Sequence, residues 1–104
     1  MKIVRVQYTT TADFVPKNKE NIAGIVKELK ALGHPGIQYN AYLLPDGKTF
    51  MHLDHFDNEE AHLLLMELES FKKFDAELFA DNLETEPILE LLSLAASSID
   101  LFTP

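Results

Sequence analysis

Cysteine and tryptophan are both absent from this chain of 104 residues, and the first absence excludes several kinds of site. Without cysteine there can be no disulfide, zinc–thiolate centre, iron–sulfur cluster or cysteine nucleophile. The four glycines are isolated from one another, so no glycine-rich loop is available to cradle a phosphate. The serines lie outside the G-x-S-x-G pattern of a nucleophile elbow.

Long apolar runs and clustered basic residues are also missing. The apolar stretches are short, such as Leu63 to Met66, whereas a transmembrane helix needs roughly 18 apolar residues. The opening MKIVRVQYTT alternates apolar with polar residues, unlike a secretory signal, so we expect a cytoplasmic protein. Seventeen acidic against nine basic residues give a net charge of −8, and the only close basic pairs are Lys17/Lys19 and Lys72/Lys73. Nucleic acids and membranes are therefore not expected as partners.

The residues that are present fit one α+β domain spanning 1–104. Lys2 to Thr10 alternates and is rich in β-branched residues, which predicts a strand. A helix follows, because Pro16 suits a first helical turn and Gly33, followed by His34 and Pro35, supplies a stop. The expected buried stripe of this helix is Ile22, Ile25, Val26, Leu29 and Leu32.

A hairpin and a second helical region come next. The runs Ile37 to Leu44 and Lys48 to Phe56 flank Pro45-Asp46-Gly47, a sequence that favours a three-residue loop with a bulge. A helix is predicted to begin at Asp57, capped reciprocally by Glu60. A shorter helix is predicted to restart at Ser70, and its inward side chains are Phe71, Phe74 and Leu78.

The C-terminal region allows two interpretations. Asn82 to Glu86 is polar and precedes Pro87, which predicts a loop. The apolar residues of Ile88 to Phe102 fit a strand or a buried helix by periodicity. A strand is favoured because the order β-α-β-β-α-β completes a ferredoxin-like four-stranded antiparallel sheet with both helices on one face. A helix would leave a three-stranded sheet.

The register of the hairpin decides which side chains share a face, since side chains alternate along a strand. With a three-residue loop, the cross-strand pairs on the helix-free face are Gln38–Asp54, Asn40–His52 and Tyr42–Phe50. The first strand adds Arg5, Gln7 and Thr9 to this face. The helices are expected to cover Val4, Val6, Tyr8, Ile37, Tyr39, Ala41, Leu43, Met51, Leu53 and His55. A loop of another length would shift the pairing and scatter the polar group.

The polar group on the helix-free face is either a solvated surface or the wall of a ligand cavity. His52 is the best candidate for acid–base chemistry because an ordinary histidine pKa lies near 6.5. The predicted catalytic residues are His52, Asn40 and Tyr42, and the predicted substrate-binding residues are Arg5, Gln7, Gln38, Phe50 and Asp54. Each of them also has a purely structural interpretation, such as an ion pair between Arg5 and Asp54.

No metal site is expected. Alternation places His55 on the face opposite to His52 and Asp54, so these three side chains do not converge. His62 could approach His55 across the helix–sheet layer, but two ligands make a poor zinc site.

The whole pattern resembles the dimeric α+β-barrel domains, which include antibiotic-biosynthesis monooxygenase-like and stress-responsive barrel proteins. The resemblance covers nearly the whole chain and rests on KIVRVQYTT, NIAGIVKELKAL, GIQYNAYLLPDGKTFMHLDHFDNEEA, SFKKFDAEL and the closing apolar segment. It implies ferredoxin-like monomers that pair sheet to sheet as a homodimer, with a pocket in each half. Some monooxygenase relatives act on polycyclic or quinone-type substrates without metal or flavin, and Arg5, Asn40, Tyr42 and His52 are the matching residue types here. The absence of tryptophan weighs against the haem-degrading branch.

Three functions remain open from the sequence. The first is a monooxygenase-like enzyme that needs no cofactor and acts on an aromatic or hydrophobic substrate. The second is a non-catalytic ligand-binding or stress-responsive barrel, and the third is a structural dimerisation module. A cavity beside a histidine with a perturbed pKa would favour the enzyme, an entirely apolar cavity would favour binding, and no cavity would favour the module.

Overall fold

The computed structural model describes residues 1–102 and shows an antiparallel sheet with helices on one face. The elements are β1 (Lys2–Thr10), α1 (Val15–Leu32), β2 (Ile37–Leu43), β3 (Thr49–Phe56), α2 (Glu59–Glu67), α3 (Glu69–Leu78) and β4 (Leu83–Leu92). The strand order is β2-β3-β1-β4, and all neighbouring strands run antiparallel. The predicted ferredoxin-like α+β fold is confirmed. Its second helix is divided at Leu68, where the backbone is extended.

Helix α1 follows the sequence prediction at both ends. Pro16 lies in the first turn, and Gly33 takes a left-handed conformation with φ of 65° while its N–H donates to the Leu29 carbonyl. His34 belongs to the same turn, since its Nδ1 accepts a hydrogen bond from the Gly36 N–H at 3.0 Å. Ile25 is fully buried, but Leu32, the last residue of the helix, is exposed.

The hairpin loop is one residue longer than predicted. The Leu44 N–H donates to the Thr49 carbonyl at 2.8 Å, which leaves four loop residues, 45–48. Asp46 explains the difference, because its Oδ1 accepts hydrogen bonds from the N–H groups of Lys48 and Thr49. Lys48 is thereby held in the loop, and Gly47 takes the left-handed position with φ of 78°.

The longer loop shifts the register of β3 by one residue and reverses its two faces. The observed pairs are Gln38–His55, Asn40–Leu53 and Tyr42–Met51. The helix side of β3 therefore carries Phe50, His52, Asp54 and Phe56, all of them buried. The faces predicted for β1 and β2 are correct, whereas those predicted for β3 are wrong.

Helix α2 begins later than predicted. Its N-cap is Asn58, whose Oδ1 accepts a hydrogen bond from the Ala61 N–H at 2.9 Å, so the predicted cap at Asp57 is wrong. An asparagine side chain satisfies a free helix N–H as well as an aspartate does. In α3, Phe74 and Leu78 are buried as expected.

Strand β4 is present but begins five residues before the predicted Ile88, so the loop predicted at Asn82 to Glu86 is mostly strand. Pro87 is tolerated because β4 is an edge strand and its pairing with β1 is irregular between Gln7 and Thr9. Residues 93–100 have no regular structure. The Gln38 side chain donates to the Leu101 carbonyl, which holds the segment after β4 near β2.

The core lies between the sheet and the helices. Its buried members are Val4, Tyr8, Phe14, Ile25, Phe50, Phe56, Ala61, Leu65, Leu68, Phe74 and Leu78. None of the helices in residues 1–102 is both long and apolar enough to span a membrane.

Helix α2 offers a matched test of this packing. Leu65 is 2% exposed and Leu63, two residues away, is 49% exposed. We expect Leu65→Ala to lower the free energy of unfolding by about 2–5 kcal/mol, because it opens a cavity in the core. Leu63→Ala should change it by no more than about 0.5 kcal/mol. Urea unfolding of both variants measures the difference, and equal losses would contradict the packing described.

Candidate functional site

A cavity of about 230 Å³ lies between the helix side of the sheet and helices α2 and α3. Most of its wall is apolar, formed by Val4, Val6, Leu65, Met66, Phe71, Phe74, Leu78, Phe79, Pro87 and Leu89. Its polar lining consists of Tyr8, Tyr39, His52, His62, Asp54 and Asp75. Phe79 and Leu89 are both more than half exposed, so the mouth lies between the end of α3 and β4. An apolar cavity with a few polar groups is the usual form of a small-molecule site.

Four polar residues, three of them buried, form a continuous hydrogen-bonded chain. Asn18 of α1 donates from Nδ2 to the Tyr8 hydroxyl at 2.9 Å. The Tyr8 hydroxyl lies 2.7 Å from His52 Nε2, and the Tyr39 hydroxyl lies 3.1 Å from His52 Nδ1. Three adjacent strands thus bring two phenols to opposite ends of one imidazole. Ala41, which pairs with His52 across the sheet, is too small to crowd the ring.

The chain of hydrogen bonds has a direction. A neutral imidazole donates from one nitrogen and accepts at the other, so one tyrosine must donate to His52 and the other must accept from it. Asn18 already donates to the Tyr8 oxygen, which favours Tyr8 as the donor to Nε2. Nδ1–H then donates to Tyr39, and the Tyr39 hydroxyl proton is free to contact a ligand in the cavity. In the other tautomer Nε2–H donates to Tyr8 and the Tyr39 hydroxyl donates to Nδ1, while Asn18 still donates to Tyr8.

Burial controls the charges in this network. It lowers the pKa of His52 to about 4, so the imidazole is neutral at pH 7. Burial also raises the pKa of Tyr8 and of Tyr39, and both phenols keep their protons. A neutral imidazole between two protonated phenols can pass a proton in either direction without prior ionisation.

Asp54 is the second titratable group of β3 in the cavity. It is 6% exposed, and burial raises its pKa to about 7, against a smaller lowering by a backbone hydrogen bond. That bond runs from the Asn40 N–H to Asp54 Oδ1 at 3.2 Å. At neutral pH Asp54 is therefore divided between its protonated and ionised forms.

The structure brings together His52 and Asp54, two of the residues predicted for the site. Both line the cavity, but on the helix side of the sheet rather than the predicted side. Phe50, also predicted, lies below them and stacks on Tyr8 with ring centroids 5.7 Å apart.

The other predicted site residues lie on the opposite, helix-free face and do not reach the cavity. The side chain of Arg5 binds the carboxylate of Glu90 and the side chain of Gln7. Asn40 donates from its side chain to the Leu53 carbonyl, and Tyr42 is about half exposed. Gln38, whose bond to Leu101 is described above, belongs to the same face. The predicted grouping of these residues with His52 is wrong, because the register it required does not form.

Sequence reasoning missed Asn18, Tyr8 and Tyr39 as site residues. Alternation predicts the correct, helix-facing side for both tyrosines, but it does not predict that their hydroxyls meet at one histidine. Asn18 carries a sequence signal, since Asn18, Asn21 and Ile25 follow the helical spacing of one buried stripe. An asparagine on a buried stripe needs a hydrogen-bond partner, which here is Tyr8.

The histidines do not assemble into a metal site. His55 faces away from the helices, and His62 stacks on Phe56 with ring centroids 4.5 Å apart. The suggested approach of His62 to His55 is therefore wrong. Across residues 1–102, no three side chains of histidine, aspartate or glutamate lie close enough to hold a metal ion.

Solved structures with the same fold are numerous, although the sequence itself matches no family model and no curated protein. One is a crystal structure of an antibiotic biosynthesis monooxygenase, with a TM-score of 0.74 and 11% identity over 92% of this chain and all of that one. A second is the structure of Rv0793 from Mycobacterium tuberculosis, with a TM-score of 0.77 and 12% identity over 94% of this chain and 98% of that one. A third, from Nitrosomonas europaea and named for the same activity, has a TM-score of 0.78 and 12% identity over 92% of this chain and all of that one. The chain thus has the fold of antibiotic biosynthesis monooxygenases, as its sequence predicted.

The two shifted pKa values of β3 predict opposite effects on stability. For Asp54 the folded-state pKa of about 7 exceeds the ordinary 3.8, so its contribution is present at low pH and is lost as the pH rises through 7. For His52 the folded-state pKa of about 4 lies below 6.5, so stability is lost as the pH falls from 6.5 towards 4.

Replacing Asp54 by asparagine should remove the part of the pH dependence of stability that comes from the raised pKa of Asp54. Between pH 4 and pH 8 we expect the free energy of unfolding of Asp54→Asn to rise relative to wild type by about 4 kcal/mol, since only wild type must ionise a buried carboxyl group. Urea unfolding at both pH values measures the change. Asp13→Asn, which alters an exposed carboxylate, is the control and should track wild type. Parallel profiles for Asp54→Asn and wild type would contradict the burial of an ionising Asp54.

Proposed function

We propose that this chain is a monooxygenase-like enzyme that needs no cofactor and oxidises an aromatic or hydrophobic substrate in the cavity between sheet and helices. The observation that carries the proposal is the hydrogen-bonded His52, which joins Tyr8 and Tyr39 at the wall of a largely apolar cavity. A strongly shifted pKa in a cavity is typical of a catalytic group. The shared fold with antibiotic biosynthesis monooxygenases supports the same class of reaction.

The chemistry fits a substrate that has an acidic ring C–H conjugated with a carbonyl through aromatic rings. Loss of that proton gives an electron-rich anion, which transfers electrons to O₂. The net reaction converts a ring CH₂ group and O₂ into a ring C=O group and water, so no other oxidant or reductant is required. The protein needs only to bind the ring, take up the proton and stabilise the anion.

His52 and Tyr39 are placed to handle that proton. Tyr39 lines the cavity and His52 lies behind it. In the tautomer that carries its proton on Nε2, the Tyr39 hydroxyl donates to Nδ1, so its oxygen can take up the substrate proton as its own proton passes to Nδ1. Burial disfavours imidazolium in the free protein, but a substrate anion beside the ring offsets that cost by direct charge pairing. Tyr8 and Asn18 hold the opposite side of the imidazole and act as positioning residues.

A matched pair of tyrosine variants tests this assignment. With anthrone as the probe, we expect wild type to form anthraquinone faster than buffer does. His52→Ala should lower kcat by about 100-fold or more, because it removes the proton acceptor. Tyr39→Phe should also lower kcat, whereas Tyr42→Phe, on the other face of the sheet, should not. Anthraquinone absorbance and oxygen consumption measure the rates.

The outcomes separate the enzyme from its main alternative. Anthrone that binds without being oxidised faster than in buffer would contradict the enzyme and favour a non-catalytic ligand-binding barrel. Unchanged kcat in His52→Ala would remove His52 from the mechanism. Loss of activity in Tyr42→Phe alone would move the site to the helix-free face.

We also propose that two copies of the chain associate through their sheets, as the resemblance to dimeric barrels implies. Apolar side chains on the helix-free face of β4 support this, because Ile88 is 65% exposed and Leu92 is 40% exposed. Ile88 lies on the helix-free face beside Gln7, and exposed apolar groups of this size on an edge strand are typical of an interaction surface.

Light scattering with size exclusion tests the association. Wild type should elute with twice the mass of one chain, and Ile88→Lys should shift it to the monomer because a charge would be buried in the interface. Leu63→Lys, at an exposed position on α2, is the control and should remain a dimer. A monomeric wild type at micromolar concentration would contradict the proposal.

A further inference from the structure

Asp54 is a buried carboxyl group without a cationic partner. Its Oδ1 accepts one backbone hydrogen bond, from Asn40, and its Oδ2 accepts none from the rest of residues 1–102. No lysine, arginine or histidine in that range forms an ion pair with it. Both nitrogens of the neighbouring His52 are already bonded to tyrosine hydroxyls, so the imidazole has no N–H left for Asp54.

The cavity has no permanent positive charge. Its lining contains no lysine or arginine, and the second carboxylate there, Asp75, is exposed. The remaining wall includes the aromatic rings of Tyr8, Tyr39, Phe71, Phe74 and Phe79. Buried carboxylates are ordinarily paired, and aromatic faces attract cations. The chain as a whole carries a net charge of −8, which also draws cations towards it.

We propose that the ligand of this cavity carries a protonated amine on an aromatic or hydrophobic frame, and that Asp54 binds the ammonium group. The inference rests on the proposed function to the extent that both use the same cavity. It assigns the two polar groups of β3 to different parts of one ligand: His52 and Tyr39 face the reacting ring, and Asp54 anchors the amine. The apolar wall then encloses the frame between them.

The competing ligand is a neutral one whose carbonyl or hydroxyl accepts a hydrogen bond from protonated Asp54. The two ligands differ in their dependence on pH. An ammonium ion binds the ionised carboxylate, so its affinity should increase as the pH rises through 7, the region of the raised Asp54 pKa. A hydrogen-bond acceptor binds the protonated acid, so its affinity should fall over the same range.

Other titratable groups face Asp54 from every element around it. They are Tyr8 of β1, Tyr39 of β2, His52 of β3, His62 of α2 and Asp75 of α3. The tyrosines stay protonated and His52 stays neutral between pH 6 and pH 8, because burial has moved their pKa values out of this range. Burial also lowers the pKa of His62, so its remaining charge is lost as the pH rises, and that loss favours a cation too. A variant of Asp54 is therefore needed to assign the effect.

The experiment compares two isosteric probes, 1-naphthylmethylamine and 1-naphthylmethanol, by isothermal titration calorimetry. In wild type at about pH 8 we expect the amine to bind roughly tenfold to a hundredfold more tightly than the alcohol, the strength of a hydrogen bond to a charged group. At about pH 5.5 this preference should shrink. Asp54→Asn keeps the shape and the acceptor for the Asn40 N–H, and it should abolish the preference. Asp13→Asn removes the same charge from a distant exposed site and should retain it.

Each possible result of the titrations either supports or overturns the inference. A preference for the amine that depends on Asp54 and increases with pH supports the inference. Equal binding, tighter binding of the alcohol, an amine preference that survives in Asp54→Asn, or no binding of either probe overturns it. If the variant does not fold, the wild-type pH series still overturns the inference when the preference for the amine does not increase with pH.

Failure of this inference can be told apart from failure of the proposed function. Turnover of anthrone without any preference for the amine would overturn the inference alone. Preference for the amine without turnover of anthrone would leave Asp54 as the anchor and contradict the catalytic role of the cavity.

Discussion

Two hydrogen bonds to the Asp46 carboxylate set the register on which the candidate site depends. They bind the N–H groups of Lys48 and Thr49 at the end of a four-residue loop. Strand β3 consequently pairs with β2 one residue away from the register that a three-residue loop would give. Each bond is weak because it lies at the surface, but a shift of one residue moves a whole set of side chains to the other face of a sheet. A short polar contact at the surface thus places His52 and Asp54 in the interior.

Burying two titratable side chains on one strand is costly, and the surrounding residues show how the cost is limited. Tyr8 and Tyr39 satisfy both nitrogens of His52, so the neutral ring is buried with each nitrogen paired. Asn18 supports Tyr8 through its Nδ2, while its Oδ1 has no partner among residues 1–102. Asp54 has one backbone donor and no cation, which leaves it the least compensated group of the cavity. Strain of this kind is characteristic of binding sites, where a ligand completes the interaction that the protein leaves open.

The sequence predicted the fold well because its signals there are redundant. Pro16 and Gly33 mark the two ends of α1, alternation marks β1, and an apolar stripe identifies the helix between β1 and β2. The site depends instead on whether the hairpin loop has three or four residues, because that number decides which side chains of β3 face the helices. Pro45-Asp46-Gly47 is compatible with loops of three or four residues, and only the side-chain bonds of Asp46 decide between them. The alternation of β3 could not decide, because His52 and Asp54 read as surface residues when taken alone.

Strand β4 connects the two proposals made for this chain. Leu89 lies at the mouth of the cavity, while Ile88 beside it points to the helix-free face. In the proposed dimer a second copy would cover Ile88 and hold β4, which on its own is an edge strand with pairing to β1 on one side only. The rim that admits a ligand would then be ordered by association of the sheets. An edge strand with apolar groups on both faces is poorly suited to an isolated monomer, and it is well suited to joining an interface on one face to a cavity on the other.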